Sequence, residues 1–267
     1  MRRKHLVLLV ALALLATMAA GCAQTAKEAE QPAPAKPQTE TIIVGSDTTF
    51  APLEFADAKG NYVGFDVDLI NAIGEEANLK IDFRSMPFDG LIAALTANQI
   101  DAAISSMSIT EERKKSIDFS EPYYKSGLSI AVQSSRTDID SLEDLQGKII
   151  AVQSGTTGEA EARKVPGATV RSFTNSDQTF MELKNGGADA VINDYPVTAY
   201  FIAQGNPDIK IVGERLTSED YGIAVPKGRT ELLQKINQAL RTLKQNGTYT
   251  ELYVKWFGEQ PPQELLQ

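Results

Sequence analysis

The sequence predicts an α/β fold with largely parallel sheets, on two observations. Short apolar runs of strand length alternate with stretches of helical spacing from residue 41 to residue 245. A ten-residue pattern also occurs twice, as Leu95-Thr-Ala-Asn-Gln-Ile-Asp-Ala-Ala-Ile104 and Leu183-Lys-Asn-Gly-Gly-Ala-Asp-Ala-Val-Ile192. In each copy a helix ends, a turn follows and a short apolar strand begins. Four residues after each Asp come polar side chains, Ser105-Ser106 in one copy and Asn193-Asp194 in the other. Open α/β sheets bind ligands just beyond the carboxyl ends of their strands. Two such units predict either two lobes offering polar strand ends to one cleft, or the recurrence of a common supersecondary unit.

In chain order, residues 41–45 form a short apolar strand. Residues 65–77 have helical spacing, with Val67, Ile70 and Ile73 on one face. Residues 80–83 read as a strand, 90–97 as a helix and 101–104 as a strand. In the second half, 148–152 is a strand, 158–164 and 179–184 are helices, and 188–192 is a strand. Residues 229–245 form a long amphipathic helix whose Leu232, Leu233, Ile236, Leu240 and Leu243 face the core. Pro261 and Pro262 mark residues 261–267 as a short tail past the last helix.

The beginning of the chain sets the compartment. Arg2, Arg3 and Lys4 precede an apolar run from Leu6 to Ala16, and the small residues Ala19, Ala20 and Gly21 precede Cys22. This is the charge, apolar stretch and small-residue order of a secretory signal, too short for a permanent span of about 20 apolar residues. Cleavage after residue 21 leaves Cys22 at the new N-terminus. As the chain's one cysteine it has no internal disulfide partner, so its lipidation is expected. The run resembles a bacterial lipoprotein signal, with Ala19 where Leu is usual. Residues 22–40 carry Pro32, Pro34 and Pro37 among Ala, Gln, Lys and Glu, the composition of a flexible tether. Contact with the membrane is expected through the lipid anchor alone.

Composition narrows the chemistry. Losing Arg2, Arg3 and Lys4 with the signal takes the formal charge from −9 to −12, which argues against a nucleic-acid partner. The one histidine, His5, leaves with the signal. Ser-His-Asp and Cys-His catalysis and His- or thiolate-ligated metal are thereby excluded. Neither glycine-rich phosphate motif occurs. No metal and no cofactor are expected, and the balance leans toward binding rather than catalysis.

Several runs then carry a resemblance over about residues 41–258. They are Ser46-Asp-Thr-Thr-Phe-Ala-Pro-Leu-Glu-Phe55, Gly64-Phe-Asp-Val-Asp-Leu69, Ser105-Ser-Met-Ser-Ile-Thr-Glu-Glu-Arg113 with its continuation to Ser120, Val152-Gln-Ser-Gly-Thr-Thr-Gly158, Asn193-Asp-Tyr-Pro196 and Asn246 to Phe257. In this order they resemble the bacterial extracellular solute-binding proteins of family 3, the receptors of polar amino acid ABC importers. The resemblance implies a type II periplasmic-binding-protein fold. Each of its two lobes is a mixed sheet flanked by helices, and two hinge crossings join them. Lobe 1 is expected at 41–123 plus 222–260 and lobe 2 at 128–217, with hinges near 124–126 and 218–221. It also implies a monomer that hands a small ligand to an ABC permease and carries out no covalent chemistry.

The same resemblance assigns roles. Arg113, three residues after the potential helix cap Thr110, is the clamp for an amino acid carboxylate, helped by Ser108 and, from the other lobe, Thr157. Asp194 is the ammonium partner, in competition with a simpler role as helix N-cap before Tyr195-Pro196; Ser106 and Ser108 supply further acceptors. Phe50 and Phe88 sandwich the ligand side chain, and Asp47 reads its tip. Gln153 closes on the ligand from lobe 2. The glutamine-binding members have Lys where this chain has Gln153 and His where it has Asn193, whereas Ser105-Ser106 is closer to the lysine/arginine/ornithine- and histidine-binding members. Asp47 and Asp194 against Arg113 leave one negative charge, which a cationic side chain neutralises and glutamine does not. Alternatives on the same fold are an arogenate or prephenate dehydratase and a sensor module acting in trans.

Overall fold

A computed structural model describes residues 39–266. The signal segment, Cys22 and the tether up to residue 38 lie outside the described residues. The chain first lays down β1 (Glu40–Ser46), β2 (Thr49–Phe50), β3 (Glu54–Ala56), β4 (Tyr62–Val63), α1 (Phe65–Glu76), β5 (Leu79–Ser85), α2 (Leu91–Thr96), β6 (Ala102–Ala103), α3 (Glu111–Lys114) and β7 (Ile117–Phe119). It continues through β8 (Tyr124–Ser126), β9 (Leu128–Gln133), β10 (Ile149–Gln153), α4 (Thr157–Ala162), β11 (Thr169–Phe173), α5 (Ser176–Lys184), β12 (Ala190–Asp194), α6 (Tyr195–Ala203) and β13 (Ile209–Val212). It returns through β14 (Glu219–Tyr221) to β15 (Ala224–Pro226), α7 (Thr230–Asn246) and α8 (Thr248–Phe257).

Two five-stranded sheets result, in the orders β5-β1-β6-β15-β7 and β11-β10-β12-β9-β13. Each contains a parallel trio, β5-β1-β6 and β11-β10-β12, with the earliest strand in the middle. Both sheets are mixed rather than largely parallel. The cause is the pair of crossings. β8 leads into β9 and β14 leads into β15, and each of these enters its sheet antiparallel to the trio. β8 and β14 pair with each other, Tyr124 opposite Tyr221 and Ser126 opposite Glu219. The chain therefore passes between the two sheets along a two-stranded ribbon. Tyr124 stacks on Tyr221 and on Tyr253 of α8, with centroids 5.5 and 5.8 Å apart, so an aromatic cluster backs the ribbon.

The repeated sequence pattern has a repeated physical basis. Asp101, at the entry to β6, takes the Ile43 N–H on its carboxylate at 2.9 Å, while its own N–H goes to the Ile43 carbonyl at 2.8 Å. Asp189, at the entry to β12, does the same to Ile149 at 2.7 and 2.8 Å. An arginine pairs with each Asp, Arg229 with Asp101 at 3.0 Å and Arg136 with Asp189 at 2.7 Å. The recurrence is thus the same joint made once in each lobe.

Several elements differ in detail from the sequence expectations. The helix expected at 179–184 begins at Ser176, because Asn175 adopts an extended backbone and serves as N-cap. The one expected at 158–164 is Thr157–Ala162, capped by the Thr156 hydroxyl, which accepts the Glu159 N–H at 3.1 Å. On α7, Leu233 is only half-buried and Ala239 joins the core face. The C-terminal tail forms a short helical turn whose Leu265 is buried. Among the described residues no helix is long and apolar enough to cross a membrane.

Candidate functional site: a polar cavity between two strand ends

Strand ends of both sheets converge on a narrow, closed-down cavity of about 10 Å3, room for roughly one water. All ten side chains named from sequence line it: Asp47, Phe50, Phe88, Ser105, Ser106, Ser108 and Arg113 from one side, Gln153, Thr157 and Asp194 from the other. Glu54 and Thr156 line it as well.

Arg113 sits on α3, whose N-cap Thr110 accepts the Arg113 N–H at 3.2 Å. Its guanidinium is nearly buried. It donates to the Ser108 carbonyl at 2.8 Å and, across the cleft, to the Gly155 carbonyl at 3.1 Å, and it lies 5.3 Å from the centre of the Phe88 ring. Burial weakens its hold on its proton, an effect offset by the negative charges of Glu219 and Asp194.

Asp194 ends β12 in the N-cap position of α6, yet its side chain caps no backbone N–H. Instead Oδ1 accepts the Tyr221 hydroxyl and, at 3.4 Å, the Ser126 hydroxyl. Thus the two readings of this residue separate: the backbone takes the cap position, and the carboxylate turns to the cavity. Burial, and then the charge of Glu219, push it up to about 7, against the Tyr221 and Ser126 hydrogen bonds and the charge of Arg113. A bound ammonium supplies the positive charge that favours its ionised form.

Asp47 follows β1 and is fully engaged. Oδ1 accepts Thr49 N at 3.1 Å and Thr49 Oγ1 at 2.7 Å; Oδ2 accepts Phe88 N at 3.1 Å and Gln153 Nε2 at 2.6 Å. These four donors match the roughly four lone-pair sites of a carboxylate. Burial raises its pKa and these hydrogen bonds oppose the rise. In this geometry Asp47 is primarily a bond between the two walls, with Gln153 as its partner. Its neighbour in the lining is a second carboxyl, Glu54.

Glu54 opens β3 and is fully buried. Its two oxygens accept the hydroxyls of Ser105 at 3.1 Å and Ser106 at 3.0 Å, which leaves acceptor capacity on both. Behind Ser106, Asp66 of α1 accepts Ser106 N at 2.9 Å and the Tyr123 hydroxyl at 2.6 Å. Ser106 has a φ of 49°, a left-handed backbone that costs a non-glycine residue about 1–3 kcal/mol; the Asp66 hydrogen bond holds it there. At the cavity's other end, Glu219 of β14 accepts the hydroxyls of Ser108 and, at 3.0 Å, Thr157, one from each lobe.

The sequence reading thus missed two acidic groups, Glu54 and Glu219. The signal for Glu54 was a charged residue between Leu53 and Phe55, in an apolar setting where an ionised side chain is costly. Glu219 lay inside the expected hinge, and only its charge went unread.

This chain belongs to the bacterial extracellular solute-binding proteins, family 3. The family profile matches residues 42–259. An arginine-binding periplasmic protein of Mannheimia haemolytica is 37% identical over 91% of this chain and 98% of its own length. Among solved structures, an ancestral arginine-binding protein bound to arginine has a TM-score of 0.80 and 48% identity, covering 82% of this chain and 98% of its own. An ancestral arginine-binding protein bound to glutamine matches with the same TM-score, identity and coverage. The arginine-, lysine-, histidine-binding protein of Geobacillus stearothermophilus has a TM-score of 0.81 and 38% identity, over 85% and 99% of the two chains. The fold is that of the two-lobed amino-acid-binding proteins.

Proposed function

We propose that the chain is the extracytoplasmic receptor of an amino acid ABC importer and that it binds free L-arginine or a closely similar cationic amino acid. The observation that carries the reading is the placement of Arg113 and Asp194 in opposite walls of one small cavity, one charge for each charge of an amino acid backbone. Arg113 pairs with the ligand carboxylate. Asp194 takes its ammonium. The side chain runs between Phe50 and Phe88 toward Glu54, Asp47 and Gln153. Adding Glu54 to the count makes this end of the slot more acidic than the sequence alone indicated, and that favours a cation. The relatives named for arginine, lysine and histidine support the same choice.

Glutamine is the second reading. The Gln153 amide already donates to Asp47, which leaves a less demanding site for a neutral side chain, and ancestral arginine-binding proteins have been seen with both ligands. The dehydratase alternative finds no support in these relatives, which are named for binding.

Closure of the lobes brings Gln153, Thr157 and Asp194 onto a ligand held by the first lobe, and the closed form is what the permease recognises. Lipid anchoring at Cys22, a monomeric state and lobe boundaries at the β8–β14 ribbon complete the proposal. A thermal-shift screen of the twenty amino acids with ornithine and citrulline tests it. Arginine should raise the melting temperature most, since a tight ligand stabilises by mass action. Silence from every amino acid overturns the receptor reading, and a response confined to glutamine overturns the choice of a cation.

A further inference from the structure

Beneath the side-chain end of the cavity lie three carboxyls from three elements: Asp47 after β1, Glu54 on β3 and Asp66 on α1. None is ion-paired with a lysine or arginine among the described residues. Each faces further acidity. Asp66 and Asp47 act on Glu54, and Asp177 of α5 feels the charge of Asp47. The neutral neighbours are the hydroxyls of Ser105, Ser106 and Tyr123 and the amide of Gln153. Arg113, Asp194 and Glu219 form a separate cluster at the other end.

Asp66 Oδ2 is well supplied, but Asp66 Oδ1 is buried and accepts from no donor among the described groups. Glu54 and Asp66 meet at one hydroxyl, that of Ser106, which lies 3.0 Å from Glu54 Oε2 and 3.5 Å from Asp66 Oδ2. One proton held between the two carboxyls relieves the repulsion of two buried carboxylates and supplies a donor that this pair otherwise lacks.

We propose that Glu54 is a proton-bearing specificity residue: the Glu54–Asp66 pair shares one proton until a cationic side chain enters the slot, whose positive charge replaces it. In that step the Glu54 O–H bond breaks, the proton goes to solvent, and the new carboxylate pairs with the ligand cation. The charge of the site is the same before and after. A neutral side chain leaves the proton in place and accepts no ion pair. The protein thereby distinguishes guanidinium from carboxamide by an exchange of charge rather than by shape. Glu54 is held well above the ordinary carboxylate range, first by burial and then by Asp66, and Asp66 is itself pushed up to about 7 by burial, so the shared proton is present near neutral pH. The inference rests on the amino-acid-binding reading of the same cavity and adds a linked proton to it.

Calorimetry of the full chain tests it, with L-arginine and L-glutamine titrated near neutral pH in phosphate and in Tris, whose ionisation heats differ. Ionisation of Asp194 by the backbone ammonium is common to both ligands and cancels in the comparison. Arginine should release up to about one proton more than glutamine, and its affinity should rise with pH up to about tenfold per unit more steeply. Glu54→Gln should remove the extra proton and lower arginine affinity about tenfold or more. Equal proton release for the two ligands, or extra release that persists in Glu54→Gln, overturns the proposal. Should glutamine give no heat, arginine release compared between the wild-type protein and Glu54→Gln decides it. Heat from neither ligand refutes the receptor reading instead. The two-buffer measurement on the wild-type protein stands even if the variant fails to fold.

Discussion

The strand–helix–strand units of the two lobes are alike at the base and different at the tip. At the base, Asp101 and Asp189 each clasp the neighbouring strand through its backbone, and each is held by an arginine. Four and five residues on, the copies diverge. The first presents Ser105 and Ser106, small hydroxyls backed by Glu54 and Asp66. The second presents Asp194, a carboxylate facing the cleft directly. The repeat is kept where the fold needs a joint and is given up where the ligand needs two different ends. A cleft between two identical tips could not distinguish an ammonium from a cationic side chain; one tip with a direct carboxylate and one with hydroxyls over a protonated pair can.

The largest effects should come from the residues that make the walls unlike. Arg113→Ala removes the buried cation that the proposed binding mode sets against the ligand carboxylate, and should weaken binding of every amino acid about a hundredfold or more. Loss of the thermal shift checks it. Asp194→Asn comes next, with a pH signature of its own. The free carboxyl is pushed up to about 7, and a bound ammonium lowers it, so binding favours the ionised form. Affinity for a neutral ligand such as glutamine should therefore be flat above pH 7 and fall by up to about tenfold per unit below it. The same Asp194 contribution should add to the Glu54-linked slope for arginine, and for glutamine the slope should vanish in Asp194→Asn. If it persists in the variant, the ammonium binds elsewhere.

Much of this was legible in the sequence, for reasons that also explain the gaps. The amphipathic stripes of α1 and α7 and the polar residues after each repeated Asp are local signals. β9 was hidden because almost every residue in it is buried, so it shows no alternation. β2, β3 and β4 are two or three residues long and too short for any period. Glu54 escaped because its partners Ser105 and Ser106 are 51 and 52 residues away in sequence. A buried carboxyl gains its meaning from what the fold brings beside it.

The matched joints permit a paired stability test. Asp101→Ala and Asp189→Ala each leave a backbone N–H without its partner, at a cost of about 1–3 kcal/mol; Arg229 also loses its carboxylate, whereas Arg136 keeps Asp138, a difference worth little at part-exposed pairs. Both should lower the melting temperature by several degrees and by similar amounts, without the pH-dependent loss of affinity expected of Asp194→Asn. A clear effect at one site alone would mean that the symmetry is one of sequence and not of energetics.

The smallest effect expected is the most informative about closure. Gln153 donates to Asp47 across the cleft at 2.6 Å, a bond that exists only while the lobes are together. Gln153→Ala removes this bond, together with one inside its own wall to the Thr174 carbonyl, and should reduce the closed population. Apparent affinity falls in proportion to that population. A loss of about 1 kcal/mol, or roughly fivefold, should therefore apply equally to arginine and glutamine. Small-angle scattering without ligand should show a larger mean size for the variant. If instead Gln153→Ala weakens one ligand alone, the amide touches the ligand side chain, and Gln153 belongs with Glu54 among the residues that choose the ligand rather than with those that hold the lobes shut.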